Sequence, residues 1–110
     1  MSVLTQAWLY LLAAGLCEIG WLLGFKLSQT TNYPKLAITA SIVSIAVSGV
    51  MLWLAQKHIP IGTAYAVWTG IGAAGTFLVG ILWFNDPLTM MRSVGAMMIV
   101  GGVIVMKLAH

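Results

Sequence analysis

Charged residues are scarce in this chain of 110 residues: two acidic and five basic side chains make up 6% of it, against roughly 25% in a soluble domain. Hydrophobic residues make up 61%. So few polar side chains cannot cover a globule that faces water, because such a surface is largely polar and charged. The composition therefore predicts a protein whose main solvent is lipid.

Cysteine occurs once, at Cys17, which excludes an intrachain disulfide and a thiolate metal cluster. We interpret Cys17 as a small apolar filler of a membrane helix. The chain carries no Ser-His-Asp set and no phosphate loop. Its two histidines, His58 and His110, fall in a predicted loop and at the end of the sequence. We predict that the protein is not an enzyme and holds no metal or cofactor.

Basic residues lie singly near the ends of apolar runs, where long side chains reach the lipid headgroups. They are Lys26, Lys35, Lys57, Arg92 and Lys107. Because they form no patch, the net charge of +3 does not indicate a nucleic-acid partner.

Four apolar runs approach the length of about 20 residues that a helix needs to cross a bilayer. No basic segment precedes the first run, so we predict an uncleaved membrane helix there instead of a signal peptide. The sequence predicts an all-α membrane protein with one four-helix transmembrane domain over residues 1–110. The predicted helices lie at about 4–27, 35–55, 63–84 and 88–108.

Short loops with proline or glycine separate the predicted helices. Pro34 is expected to open the second helix, and Pro60 and Gly62 mark the turn before the third. Asn85 or Asp86 is expected to cap the fourth helix, with Pro87 in its first turn.

The basic residues are divided almost evenly between the two sides of the membrane. Lys57 and Lys107 fall on the side of the termini, and the other three fall on the opposite side. Orientation follows a bias in this count, and the bias here is weak. A chain without a preferred orientation can insert both ways, and an antiparallel two-fold dimer is then the simplest closed assembly. The alternative is a single orientation that other features fix.

The stretch GLCEIGWLLG, residues 15–24, places Glu18 at about mid-membrane depth, where an acid costs about 2.5–3.5 kcal/mol. One interpretation is a neutral or paired acid that holds helices together, but no basic residue lies at that depth. The other is a binding site for a cation or a proton. A site that holds either one, but not both, is the minimum that antiport requires.

Two polar or aromatic positions are candidates to flank Glu18. Trp21 lies one turn away, where its indole N–H can donate to the carboxylate and its ring can stack on a planar cation. Ser48 lies at mid-depth in a serine stripe of the second helix and can donate to Glu18. Lipid contact or core packing for Trp21, and close helix approach for Ser48, are the alternatives.

The third and fourth helices differ in character. Tyr65 and Trp68 suit a cation pocket, although an interfacial aromatic belt also explains Tyr65. Gly70 and Gly72 allow either a bend or close packing. Gly95 and Gly102 share one face of the fourth helix and predict a packing surface between subunits.

These features together resemble the small multidrug resistance family of bacterial inner-membrane transporters. The resemblance covers the length, the four spans, the single acid in the first span and PIGTAYAVWTGIG at residues 60–72. Two features resemble the guanidinium exporters within that family. They are the Glu-x-x-Trp spacing of Glu18 and Trp21, and WTGIGAAG at residues 68–75.

The resemblance implies a multi-pass protein of the bacterial inner membrane that works as an antiparallel, dual-topology homodimer with both Glu18 side chains in one site. Glu18 would bind substrate and protons by turns, and Trp21 and Ser48 would orient it. Tyr65 and Trp68 would line the pocket. Gly70 and Gly72 would lie at a bend of the third helix, and residues 95–103 would form the dimer interface.

The expected function is a proton-coupled antiporter that exports guanidinium and small guanidinyl cations. The nearest alternative is a broad exporter of quaternary ammonium compounds with the same fold. A passive cation channel, a structural or regulatory membrane subunit, and one half of an obligate unlike pair are further alternatives. None of these needs a partner other than a small cation, protons, lipid or a second membrane chain.

Overall fold

A computed structural model describes residues 2–109, so Met1 and His110 of the predicted domain lie outside the described residues. The chain folds into four helices that are long and apolar enough to cross a membrane, which confirms the predicted all-α class. The helices are α1 (Val3–Thr30), α2 (Pro34–Ala55), α3 (Ile61–Trp83) and α4 (Met90–Ala109).

Helix α1 extends beyond its predicted bounds at both ends, and hydroxyl side chains bond to backbone groups in its terminal turns. The Ser2 hydroxyl accepts from the Thr5 N–H at 3.1 Å and caps the start. At the other end, Ser28 donates to the Phe25 carbonyl at 2.6 Å. The apolar run predicted only the part of α1 that crosses the lipid. At 1.5 Å per residue, α1 is about 42 Å long.

Helix α4 begins at Met90, two residues after the predicted start, and the prediction that Pro87 lies in its first turn is wrong. Thr89 caps the helix through its hydroxyl, which accepts from the Arg92 N–H at 3.1 Å, and neither Asn85 nor Asp86 does so. Asn85 instead has a φ of 56°, in the left-handed region that Asn tolerates better than most residues. This residue turns the chain out of α3 and leaves an extended segment before α4.

Helix α3 begins at Ile61, directly after Pro60, so Gly62 is helical and does not form part of the turn as predicted. The chain packs in the order α2, α1, α3, α4, since α1 contacts both α2 and α3. No Cα of α4 lies within 8 Å of one in α1 or α2. The buried core lies at the end of the bundle where residues 56–60 connect α2 to α3. It consists of Ala7, Leu11, Ala55, Ile59, Ala64 and Val67.

Small residues bring α1 and α2 close together. Ser41 is fully buried, and its hydroxyl donates to the Ala37 carbonyl at 3.0 Å. A Cβ at Gly24 would overlap this hydroxyl and lie 3.1 Å from the Ala37 oxygen. The serine stripe of α2 therefore serves helix packing at this position, as small residues do in membrane interfaces.

Replacing Gly24 with alanine should lower stability, because the added methyl forces α1 and α2 apart. Overpacking of this kind typically costs about 1–3 kcal/mol. Gly49→Ala is the matched control, since no atom lies within 4 Å of its Cβ and alanine favours helix. The thermal midpoint in detergent should fall for Gly24→Ala and hold or rise for Gly49→Ala. Equal midpoints for the two variants would contradict the packing described here.

Candidate functional site

Glu18 lies in the middle of α1 and its side chain lies against α3. A Cβ at Gly72 would lie 2.9 Å from Glu18 Oε2, so the carboxylate occupies the space that a side chain at Gly72 would fill. Within residues 2–109, the buried Oε2 has no hydrogen-bond partner. A buried acceptor without a partner is costly unless something else binds it. The carboxylate is therefore placed to receive a ligand or a proton.

Ser48 is placed differently from the prediction. Its hydroxyl is 1% exposed and donates to the Ala14 carbonyl at 2.8 Å. Because a hydroxyl has one hydrogen, Ser48 does not also donate to Glu18 in this conformation. Ala14 lies one turn before Glu18, and an α-helix uses that carbonyl to accept from the Glu18 N–H. Ser48 thus binds the backbone of the turn that carries the acid.

Trp68 completes a hydrogen-bonded connection between three helices. Its indole Nε1–H donates to Ser48 Oγ at 2.9 Å, so Trp68 of α3, Ser48 of α2 and Ala14 of α1 form one chain. The Tyr65 ring lies 5.8 Å from the Trp68 ring, at an interplanar angle of 45°. Tyr65 itself is 59% exposed. Trp68 reaches the turn of Glu18 through Ser48, and the role of the two aromatic residues in lining a pocket stays a prediction.

Trp21 is half-buried and packs edge-on against Phe25, with ring centroids 5.4 Å apart. In the described part of the chain, no hydrogen bond joins its indole to Glu18. The orienting role of Trp21 stays a prediction.

The four glycines that were predicted to bend α3 or to pack between subunits have different surroundings. Helix α3 is continuous through Gly70 and Gly72. Gly70 faces Val103 of α4, and Gly72 faces Glu18. These contacts explain both glycines by packing, and the hinge stays a prediction. Around Gly95 and Gly102 no atom lies within 4 Å of a Cβ, so this face of α4 is free within the described protomer.

Sequence reasoning missed two groups, one in the site and one in the α1–α3 interface beyond it. One is the Ala14 carbonyl, because a backbone acceptor leaves no mark on residue type. The other is Thr76, whose Oγ1 is buried without a hydrogen-bond partner among the described residues. The sequence does show that Thr76 lies four residues after Gly72 and so shares a helix face with it. Between Ser2 and Ala109, no group of three or more His, Cys, Asp or Glu side chains can hold a metal ion.

Comparison with known proteins identifies the family. Residues 6–99 match the family described as Small Multidrug Resistance protein. A guanidinium exporter from Proteus vulgaris is 45% identical over 107 residues, which cover 94% of this chain and 99% of the relative. Guanidinium exporters from Yersinia pestis and Salmonella typhimurium are 41% and 43% identical, over 94% of this chain and 99% and 98% of theirs. The chain therefore belongs to the small multidrug resistance family, and it is a multi-pass transporter of the inner membrane and not an enzyme.

Proposed function

We propose that this protein exports guanidinium and small guanidinyl cations in exchange for protons, and that Glu18 binds each of them by turns. The observation that carries the proposal is the Glu18 carboxylate, buried against Gly72 with one oxygen that no described residue satisfies. The names of the relatives support guanidinium as the substrate.

The chemistry of guanidinium fits such a site. The ion is planar and offers several N–H donors in the geometry that a carboxylate accepts. It is also more weakly hydrated than an ammonium ion, so its transfer into a membrane pocket costs less. Trp21 is half-buried one turn from Glu18, and its ring face suits a planar cation.

Competition at one carboxylate provides the coupling. A protonated Glu18 has no charge to attract guanidinium, and a Glu18 that holds guanidinium does not take up a proton. If two Glu18 side chains share one pocket, they titrate as a coupled pair. Two protons would then exchange for one monovalent cation, and each cycle would move net charge across the membrane.

A second copy of the chain completes the site in this proposal. Helix α4 buries no residue within the described protomer, and its apolar side chains include Met97 at 73% and Met98 at 72% exposed. Gly95 and Gly102 on this helix allow close approach of another helix. In an antiparallel dimer, the two protomers adopt unlike shapes and exchange them. The exchange presents the same site to the opposite side of the membrane.

Reconstitution in liposomes tests the proposal. Guanidinium and tetraethylammonium would be applied side by side to proteoliposomes on a solid support, with substrate-evoked current and internal pH recorded. We expect a guanidinium current accompanied by opposite proton movement, and little response to tetraethylammonium. Tetraethylammonium currents of equal size would indicate the broad quaternary-ammonium exporter. A guanidinium current without proton movement would indicate a channel.

A further inference from the structure

The α1–α3 interface continues beyond Glu18 into a cleft of about 250 Å³ near the C-terminal end of α3, and most of its lining residues are apolar. Three of the residues that line it carry polar side chains: Lys26 from α1, Thr76 from α3 and Asp86 from the following loop. None of them belongs to the substrate site described above. We call this space the Asp86 cleft.

One face of α3 connects the cleft to the substrate site. Gly72, Thr76 and Gly80 follow one another at intervals of four residues on this face. Gly72 contacts the Glu18 carboxylate, and a Cβ at Gly80 would lie 3.0 Å from Asp86 Cγ. Thr76 lies between them, about 6 Å along the axis from each. The two acids of the chain therefore contact α3 at positions about 12 Å apart along its axis, and the Thr76 hydroxyl belongs to the position midway between them.

The Thr76 hydroxyl is available to the path. A threonine within a helix commonly donates to a carbonyl of the preceding turn. Thr76 Oγ1 is buried, and in the range 2–109 it has no hydrogen-bond partner. The cleft has room for several water molecules, each of which occupies about 30 Å³ in the liquid. Thr76 lies about 6 Å along the helix axis from both Gly72 and Gly80, a separation that one or two waters can bridge.

Two side chains of opposite charge line the outer end of the cleft. They are Lys26 and Asp86, and no ion pair within 4.0 Å joins them in the described chain. Lys26 Nζ lies 5.9 Å from the centre of the Phe84 ring. The Lys26 charge repels a guanidinium ion and the Asp86 charge attracts one, so the pair gives the cleft no net charge towards the substrate. Asp86 also provides a carboxylate that can pass a proton to water in the cleft.

We propose that protons reach Glu18 through the Asp86 cleft and the Thr76 hydroxyl, a route that exchange of guanidinium alone does not need. The proposal rests on proton coupling at Glu18. A proton taken up at Asp86 passes to a cleft water, and Thr76 accepts one proton on that side while it donates its own towards Glu18. One proton enters and one arrives at the carboxylate, and rotation of the hydroxyl restores the path.

Replacing Thr76 with valine tests the path, because valine keeps the shape and removes the hydroxyl. Two fluxes would be compared in proteoliposomes: guanidinium transport driven by a pH gradient, and exchange of labelled for unlabelled guanidinium at equal pH. The second flux needs no proton. Thr76→Val should slow the proton-driven flux about fivefold, the effect of one lost hydrogen bond, and leave the guanidinium exchange unchanged.

Three further variants sharpen the test. Thr39→Val is the matched control, because Thr39 is exposed on α2 and donates to the Lys35 carbonyl. It should alter neither flux. Thr76→Ser should restore the proton-driven flux, and Asp86→Asn should slow it selectively.

Two results with Thr76→Val would overturn the path. One is a proton-driven flux equal to that of the unchanged protein. The other is an equal loss of both fluxes, because the hydroxyl would then serve the whole cycle and not the proton. Failure of the unchanged protein to exchange guanidinium for protons would instead overturn the proposed function itself.

Discussion

Guanidinium transport should disappear when Glu18 is replaced by glutamine, together with the proton movement that accompanies it. The amide has nearly the same shape as the carboxylate, but it releases no proton and carries no charge that attracts a cation. Loss of hydrogen bonds to a charged acceptor should weaken guanidinium binding by about 10- to 100-fold. Currents from proteoliposomes would measure transport, and calorimetry on the purified protein would measure binding.

Glu18→Asp provides the matched comparison. It keeps an acid at the same position but shortens the side chain by one methylene group. We expect this variant to keep guanidinium binding that weakens in acid, and to transport more slowly, because the carboxylate no longer reaches the surface of Gly72. Proton-coupled transport by Glu18→Gln at the normal rate would contradict the proposed mechanism.

The second large effect is expected from Gly72→Ala. The added methyl would lie 2.9 Å from Glu18 Oε2 and 3.0 Å from Cγ, so the carboxylate has to leave its present position. Displacement of a binding group by about 1 Å can cost up to a hundredfold in rate. We therefore expect guanidinium transport to fall by about tenfold or more.

A stability measurement distinguishes this loss of transport from misfolding. Because the crowded atoms belong to the end of a flexible side chain, the thermal midpoint of Gly72→Ala should stay near that of the unchanged protein. Gly49→Ala makes the same chemical change where no neighbour lies within 4 Å, and it should transport normally. Normal transport by Gly72→Ala would mean that Glu18 functions away from α3.

The fold could be predicted from the sequence because a helix that crosses lipid has to be apolar along its length. Apolar runs near the length of a bilayer predicted all four spans. The ends of the helices were harder to predict, because each depends on single hydrogen bonds. Thr89 caps α4 and Asn85 adopts a positive φ, and neither follows from the apolar pattern. Ser28 and Thr30 likewise prolong α1 beyond its apolar part.

The centre of the site could be predicted from the sequence, but the groups around it were harder to predict. Glu18 could be identified because placing a lone acid in an apolar membrane helix costs free energy. The partner of Ser48 could not be predicted, because the choice between the Ala14 carbonyl and the Glu18 carboxylate depends on how deeply α2 sits against α1. Thr76 was overlooked because a single threonine among apolar residues has an ordinary explanation in helix packing. Only the α1–α3 contact brings it between two acids.

The length of α1 has a consequence for the membrane around the protein. The apolar part of this helix, residues 4–27, is about 36 Å long, whereas the hydrocarbon core of a bilayer is about 30 Å thick. This hydrophobic mismatch is relieved by tilting α1 or by thickening the lipid beside it. Since Glu18 is carried on α1, either response alters the depth of the carboxylate. We therefore expect acyl-chain length to change the transport rate without any substitution in the site.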